Sequence, residues 1–123
     1  MHKIHILAAL GCFMAAPALA DHDGAEHAEE TGAPASMSAE VDLDLAEGIY
    51  GRSCRACHGN KAQGVASYPN LSDQTPEEIA AKLETYRAGE RVGPNSVLMI
   101  QNAKDLSDTE IASLAQYVTS AFD

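Results

Sequence analysis

Residues 54–58 read Cys54-Arg55-Ala56-Cys57-His58, two thiols three positions apart with an imidazole directly after them. On one helical turn the two thiols can each add to a vinyl group of a single porphyrin, and the adjacent imidazole then points at the iron. C-x-x-C-H is the attachment signature of a c-type haem. Rival chemistries use less of the pentapeptide. A thioredoxin-like dithiol sits at a helix start after a strand, and no strand pattern precedes Cys54. A structural zinc ion needs four ligands, and only His22 and His27 remain to complete a set. A disulfide between the two cysteines leaves His58 without a role.

An iron held by one imidazole keeps an open position unless the chain supplies a second donor. Methionine is the common partner in electron-carrying haems, and it raises the reduction potential. Once the N-terminal twenty residues are removed, Met37 and Met99 are the methionines left. Met37 precedes the first helix. Met99 lies between the second and third helices, where the chain can return over the far face of a haem. Methionine often only fills a core, but a haem must be covered, and Met99 is the expected sixth ligand. With His58 and Met99 both bound, no position stays free for O₂ or peroxide. The expected activity is outer-sphere one-electron transfer with no substrate site and no enzymatic reaction of its own.

The N-terminus supports export. Lys3 gives a positive start, Ile4–Ala16 is apolar and Ala18-Leu19-Ala20 offers a small-x-small cleavage site, the layout of a signal peptide at residues 1–20. Leu10-Gly11-Cys12 faintly resembles a lipobox, which makes a lipid anchor at Cys12 the lesser alternative. No later stretch approaches the ~20 apolar residues of a membrane span. A periplasmic location follows, where c-type haem is attached.

The 123 residues carry a formal charge of −10, unevenly spread. Residues 21–47 hold nine acids and no Lys or Arg, whereas residues 48–123 hold nine acids and seven bases. The acid excess argues against nucleic acid, whose phosphates demand a basic face. The stretch 21–37, rich in Ala, Gly, Ser and acid, is expected to be a flexible tail, followed by one domain at 38–123.

Elements that could position Cys54–His58 and Met99 follow from pattern and caps. A first helix begins between Ser38 and Asp44 and runs towards Cys57, with Leu45, Ile49 and Ala56 along one side and Ala46 and Tyr50 beside them. A second begins at a capping box, Thr75 with Glu78 and Pro76 at the first turn, repeats Ile79, Leu83 and Tyr86, and stops at Gly89. A third is capped by Ser107 and Glu110, with Leu106 and Ile111 as a staple, and carries Ile111, Leu114, Ala115, Val118 and Phe122 as its apolar stripe. Residues 59–74 and 89–105 read as long loops, which in a small domain usually wrap something. The fold class is all-α, about three main helices plus loops.

Residues 44–122, about two-thirds of the chain, resemble class I c-type cytochromes, the small bacterial monohaem proteins and the haem domains of flavocytochrome c-like enzymes. Tyr50 ahead of Cys54, the Cys54–His58 motif, Tyr68-Pro69-Asn70-Leu71, and Met99 ahead of Leu106-Ser107-Asp108 carry the resemblance in order. It implies the class I cytochrome c fold around one haem c, thioethers at Cys54 and Cys57, and axial ligands at His58 and Met99. It also implies that the Pro69 carbonyl accepts the Nδ1–H of His58, and that Ala46 and Tyr50 cross Leu114 and Tyr117. Ala46 stands where the family usually has glycine. Leu71, Ile79, Leu83 and Leu98 are expected by spacing to pack the haem. Redox proteins are the expected donor and acceptor. In the alternative reading the chain is the haem subunit of a periplasmic dehydrogenase, held against a flavoprotein or another catalytic partner. Arg52, Arg55 and Lys61 cluster around the motif as a basic docking collar.

Overall fold

The computed structural model describes residues 32–122. The expected signal peptide at residues 1–20, Cys12, His22, His27 and most of the acidic stretch lie outside the described residues. Helix α1 (Leu43–Ile49) starts where the Asp42 side chain accepts from the Leu45 N–H at 2.9 Å. It continues through a π turn, Tyr50–Cys54, into the short α2 (Arg55–His58). The expected first helix is therefore these three pieces in sequence.

Helix α3 (Pro76–Arg87) opens on the expected capping box, and α5 (Asp108–Ser120) opens on the one formed by Ser107 and Glu110. Each box satisfies two backbone donors that the first turn leaves without helical partners. Beyond α3, the Gly89 N–H donates to the Tyr86 carbonyl and the Glu90 N–H to the Thr85 carbonyl. That is a Schellman stop, and the φ of +82° at Gly89 explains why glycine is there.

The stretch 89–105, expected to be all loop, contains helix α4 (Ser96–Ala103). No side chain caps it, so the usual local signal for a helix start is missing. Among the described residues there is no strand, and no helix is long and apolar enough to cross a membrane.

The core gathers Ala46, Ile49 and Tyr50 with Ile79 and Ala80 of α3 and Ile111, Leu114, Ala115 and Val118 of α5. Ala46 is fully buried, so the α1–α5 crossing tolerates one methyl group at that position. Tyr50, Tyr117 and Phe122 form an aromatic cluster at the crossing, with ring centroids 5.4–5.9 Å apart. Leu45 and Ala56, expected on the same side as Ile49, are exposed. For Ala56 the reason is the π turn, which holds one more residue than an α-helical turn, so a simple 3.6-residue count fails across it. Leu45 lies before that turn, in the first turn of α1, and is 36% exposed.

The tail joins the domain earlier than expected. Ala35–Ser38 form a 3₁₀ turn against α5 and α3, with Ser36 fully buried and Met37 packed on the core. The Ser36 N–H donates to Glu84 Oε1 at 2.7 Å, and the Asp42 N–H donates to Ser113 Oγ at 2.8 Å. Both bonds join residues far apart in sequence, which is why composition alone marks residues 35–37 as tail.

Candidate functional site

The π turn sets up the site. The Arg55 N–H reaches back five residues to the Tyr50 carbonyl, a feature that recurs at functional sites. Beyond it His58 is 4% exposed, Cys54 and Cys57 are half-buried, and Arg55 and Ala56 face solvent. The Tyr50 hydroxyl donates to the Gly59 carbonyl at 2.7 Å and fixes the exit from α2.

After His58 the chain folds back on itself. Gly64 has a φ of +80°, and its N–H donates to the His58 carbonyl at 2.7 Å. A Cβ there would lie 2.5 Å from the Tyr68 carbonyl oxygen and 2.9 Å from the Pro69 carbonyl carbon, so both conformation and space demand glycine. Ala62 is also left-handed, at φ +55°, which costs roughly 1–2 kcal/mol without glycine. Its carbonyl accepts the Leu71 N–H at 2.7 Å and closes the loop.

This fold-back delivers Pro69 to the imidazole. The Pro69 carbonyl lies 3.1 Å from His58 Nδ1. A carbonyl can only accept, so the proton sits on Nδ1 and the Nε2 lone pair is left for a metal. The Tyr68 ring stands edge-on to the imidazole, with centroids 6.3 Å apart.

Met99 arrives on α4. The Ser96 hydroxyl, in a side chain 2% exposed, accepts from the Val92 N–H at 2.9 Å and the Gly93 N–H at 2.8 Å, tying the loop to the helix start. Met99 is half-buried. His58, Met99, Cys54 and Cys57 all line one cavity of about 370 Å³, within the ~300–1,000 Å³ common for ligand and cofactor sites. Pro69, Leu71, Ile79, Leu83 and Leu98 line it as well, so every residue singled out for haem contact reaches the same space. Leu98 is the outlier, 45% exposed and therefore at the rim. Leu114 and Val118, expected in the apolar stripe of the last helix but not as haem contacts, complete the apolar wall. Sequence reasoning missed Gly64, Ser96, Gln74 and Lys82. Gly64, Gln74 and Lys82 gain their roles only once the chain has folded back around the cavity, and the short-range bonds to the Ser96 hydroxyl follow no capping pattern.

Electrostatics separates the readings of the cysteines. Burial pushes the Cys54 thiol up to about 11, and nearby Cys57 adds to the effect. A redox dithiol works through a thiolate and needs the opposite shift. A thioether carries neither proton nor charge, so attachment suits this burial. Among the described residues no three His, Cys, Asp or Glu side chains form a metal site of their own. An apolar cavity with two thiols at one edge and an imidazole whose Nε2 is free fits a haem.

A family model described as "Cytochrome C oxidase, cbb3-type, subunit III" matches residues 41–118. Cytochrome c-554(548) of Halomonas halodenitrificans is 44% identical over 69 residues, which cover 55% of this chain and 83% of that protein. This chain is a class I c-type cytochrome. Its cofactor is covalently bound haem c, and Cys54, Cys57 and His58 fit the attachment motif. Like its relatives, the cytochrome is an electron-transfer protein rather than an enzyme. A solved cytochrome c4 of Acidithiobacillus ferrooxidans shares the fold with a TM-score of 0.56 and 27% identity, over 63% of this chain and 48% of that one. The thiosulfate dehydrogenase electron acceptor of Stutzerimonas stutzeri is 33% identical over 85% of this cytochrome and 46% of its own length. The chain thus spans about half the length of these last two proteins.

Proposed function

We infer that the mature chain is a periplasmic one-electron carrier whose haem iron is held by His58 and Met99, with Cys54 and Cys57 as the thioether anchors. The observation that carries this reading is the pairing of donors in one cavity. His58 presents Nε2 because Pro69 holds Nδ1–H, and Met99 is brought to the same space by a separate helix. Bound haem c supplies reversible one-electron chemistry at iron, and Met/His ligation favours a raised potential. Leu71, Ile79, Leu83 and Leu98 exclude water around it, with Leu98 at the edge.

Export through the Met1–Ala20 signal peptide, cleaved after Ala20, accounts for a haem attached outside the cytoplasm. Intact mass of protein purified from the native periplasm is expected to equal residues 21–123 plus one haem, retained after denaturation. A lipid adduct at Cys12 on membrane-bound material would replace this localisation, and haem lost on denaturation would refute covalent attachment.

The name of the Stutzerimonas relative supports a dehydrogenase as electron donor. Arg52, Arg55 and Lys61 are exposed and make no ion pair among the described residues, as a docking collar for an acidic partner requires. Transient docking predicts electron-transfer rates that fall as salt rises. A catalytic partner, such as a flavoprotein, recovered with the chain in fixed stoichiometry would favour the alternative of a dehydrogenase haem subunit.

A further inference from the structure

A haem brings its own charge into the cavity. Its two propionates are carboxylates, ionised at neutral pH in water, and a carboxylate at the edge of an apolar pocket is costly without a partner. Among the described residues lining the cavity, Lys82 is the only one with a formal charge at neutral pH, and no Asp or Glu lines it.

Lys82 is held in a particular place. Its ammonium donates to Gln74 Oε1, and Gln74 also lines the cavity. Gln74 in turn is fixed through Nε2, which donates to the Asn70 carbonyl at 2.8 Å. Asn70 Oδ1 accepts from the Ser72 N–H at 2.9 Å, so the loop leading into α3 is itself braced. An ammonium has three donors, and one is used here.

The two acids of α3 within one turn of Lys82, Glu78 and Glu84, have other partners. Glu78 accepts the Thr75 N–H in the capping box, and Glu84 accepts the Ser36 N–H. Lys82 makes no ion pair among the described residues. A cation poised at a cavity wall, anchored by a neutral amide and not neutralised by an acid, is suited to an incoming anion.

We propose that Lys82, positioned by Gln74, is the counter-ion of a haem propionate and thereby holds the reduction potential of the cytochrome up. The direction follows from charge: the reduced haem carries one positive charge fewer than the oxidised haem, so a nearby fixed cation favours reduction. The proposal rests on Cys54–His58 as the haem site but not on Met99 as the sixth ligand.

The test is a spectroelectrochemical titration of the full holoprotein and four single variants. Lys82→Gln is expected to lower the midpoint potential, Lys82→Glu to lower it further, and Lys82→Arg to leave it close to wild type. Lys104→Gln, which removes an exposed lysine paired with Asp105, serves as the control for simple loss of surface charge. Gln74→Ala is expected to shift the potential in the same direction as Lys82→Gln by a smaller amount. Combined with Lys82→Gln it should add nothing, because its effect passes through the lysine. A Lys82→Gln shift no larger than that of Lys104→Gln overturns the counter-ion role, and an additive double variant overturns the positioning role. The haem spectrum, read in the same cell, keeps the site separate: an unchanged spectrum with an unchanged potential removes Lys82 and leaves the haem site standing. Should Lys82→Gln fail to load haem, Gln74→Ala decides, and a wild-type potential there overturns the proposal.

Discussion

The chain leaving His58 and the chain arriving at Met99 reach the same cavity but are ordered by different means. On the His58 side, bonds cross the fold-back repeatedly: Gly64 N–H to the His58 carbonyl, Leu71 N–H to the Ala62 carbonyl, and His58 Nδ1–H to the Pro69 carbonyl. The Tyr50 hydroxyl adds a fourth brace at Gly59. On the Met99 side, the bonds at the Ser96 hydroxyl reach only three or four residues along the chain. Val92 and Leu98 there are 62% and 45% exposed. Helix α4 packs chiefly against α3. The imidazole is thus oriented by the polypeptide itself, whereas the thioether depends on how one short helix docks. The proximal side should therefore tolerate change poorly, and the distal side should yield while the domain stays folded.

The sharpest break in this contrast is His58→Ala. Removal of the imidazole leaves the Pro69 carbonyl without its donor and the iron without its braced ligand, and holoprotein with a low-spin spectrum should be lost entirely. Recovery of wild-type amounts with that spectrum would show that the proximal braces are not what orders the site. Met99→Ala comes next. The folded domain and the thioethers should survive, while the ferric haem turns high-spin and its potential falls. Visible absorption and potentiometry on the same sample check both.

Gly64→Ala probes the fold-back directly without touching a ligand. A left-handed non-glycine residue costs on the order of 1–3 kcal/mol, and the new Cβ would press on Tyr68 and Pro69. In a domain of this size each kcal/mol lowers the Tm by roughly 4–8 °C, and thermal unfolding of the holoprotein measures it. The same substitution at exposed Gly51, where a Cβ meets nothing, should not destabilise the domain, so equal losses at the two positions would dissolve the distinction.

Tyr50→Phe has the smallest effect, about 1 kcal/mol for one hydrogen bond, together with a change in alkaline behaviour. Burial, more than any neighbouring group, pushes the Tyr50 phenol up from 10.0 to about 12. The folded state therefore keeps this proton where the unfolded state releases it. The associated stability is intact below pH 10 and drains away as pH rises towards about 12. Urea midpoints at pH 9 and pH 11 should diverge more for wild type than for Tyr50→Phe. An equal loss in both would assign the alkaline sensitivity elsewhere.

The same division between local and distant causes decided how much could be read from the chain. Thr75-Pro76-Glu77-Glu78 and Ser107–Glu110 announce helix starts because each cap is completed within four residues. Cys54–His58 is legible because attachment chemistry fixes its spacing. Helix α4 was hidden because Gly93-Pro94-Asn95 reads as loop and no side chain caps the start. Ala35–Ser38 escaped because Glu84 and Ser113, which help order that part of the chain, lie far along the sequence. Gly64 looks like any loop glycine until Pro69 is seen against it. Lys82 reads as a solvated helix charge, and only the cavity gives it something to face.

The central claim is that His58 and Met99 close the iron from two independently ordered elements. The most direct measurement is the absorption spectrum of the wild-type ferric holoprotein. A low-spin haem with the weak methionine–iron band at the red end is the predicted result. A high-spin ferric spectrum lacking that band would contradict it.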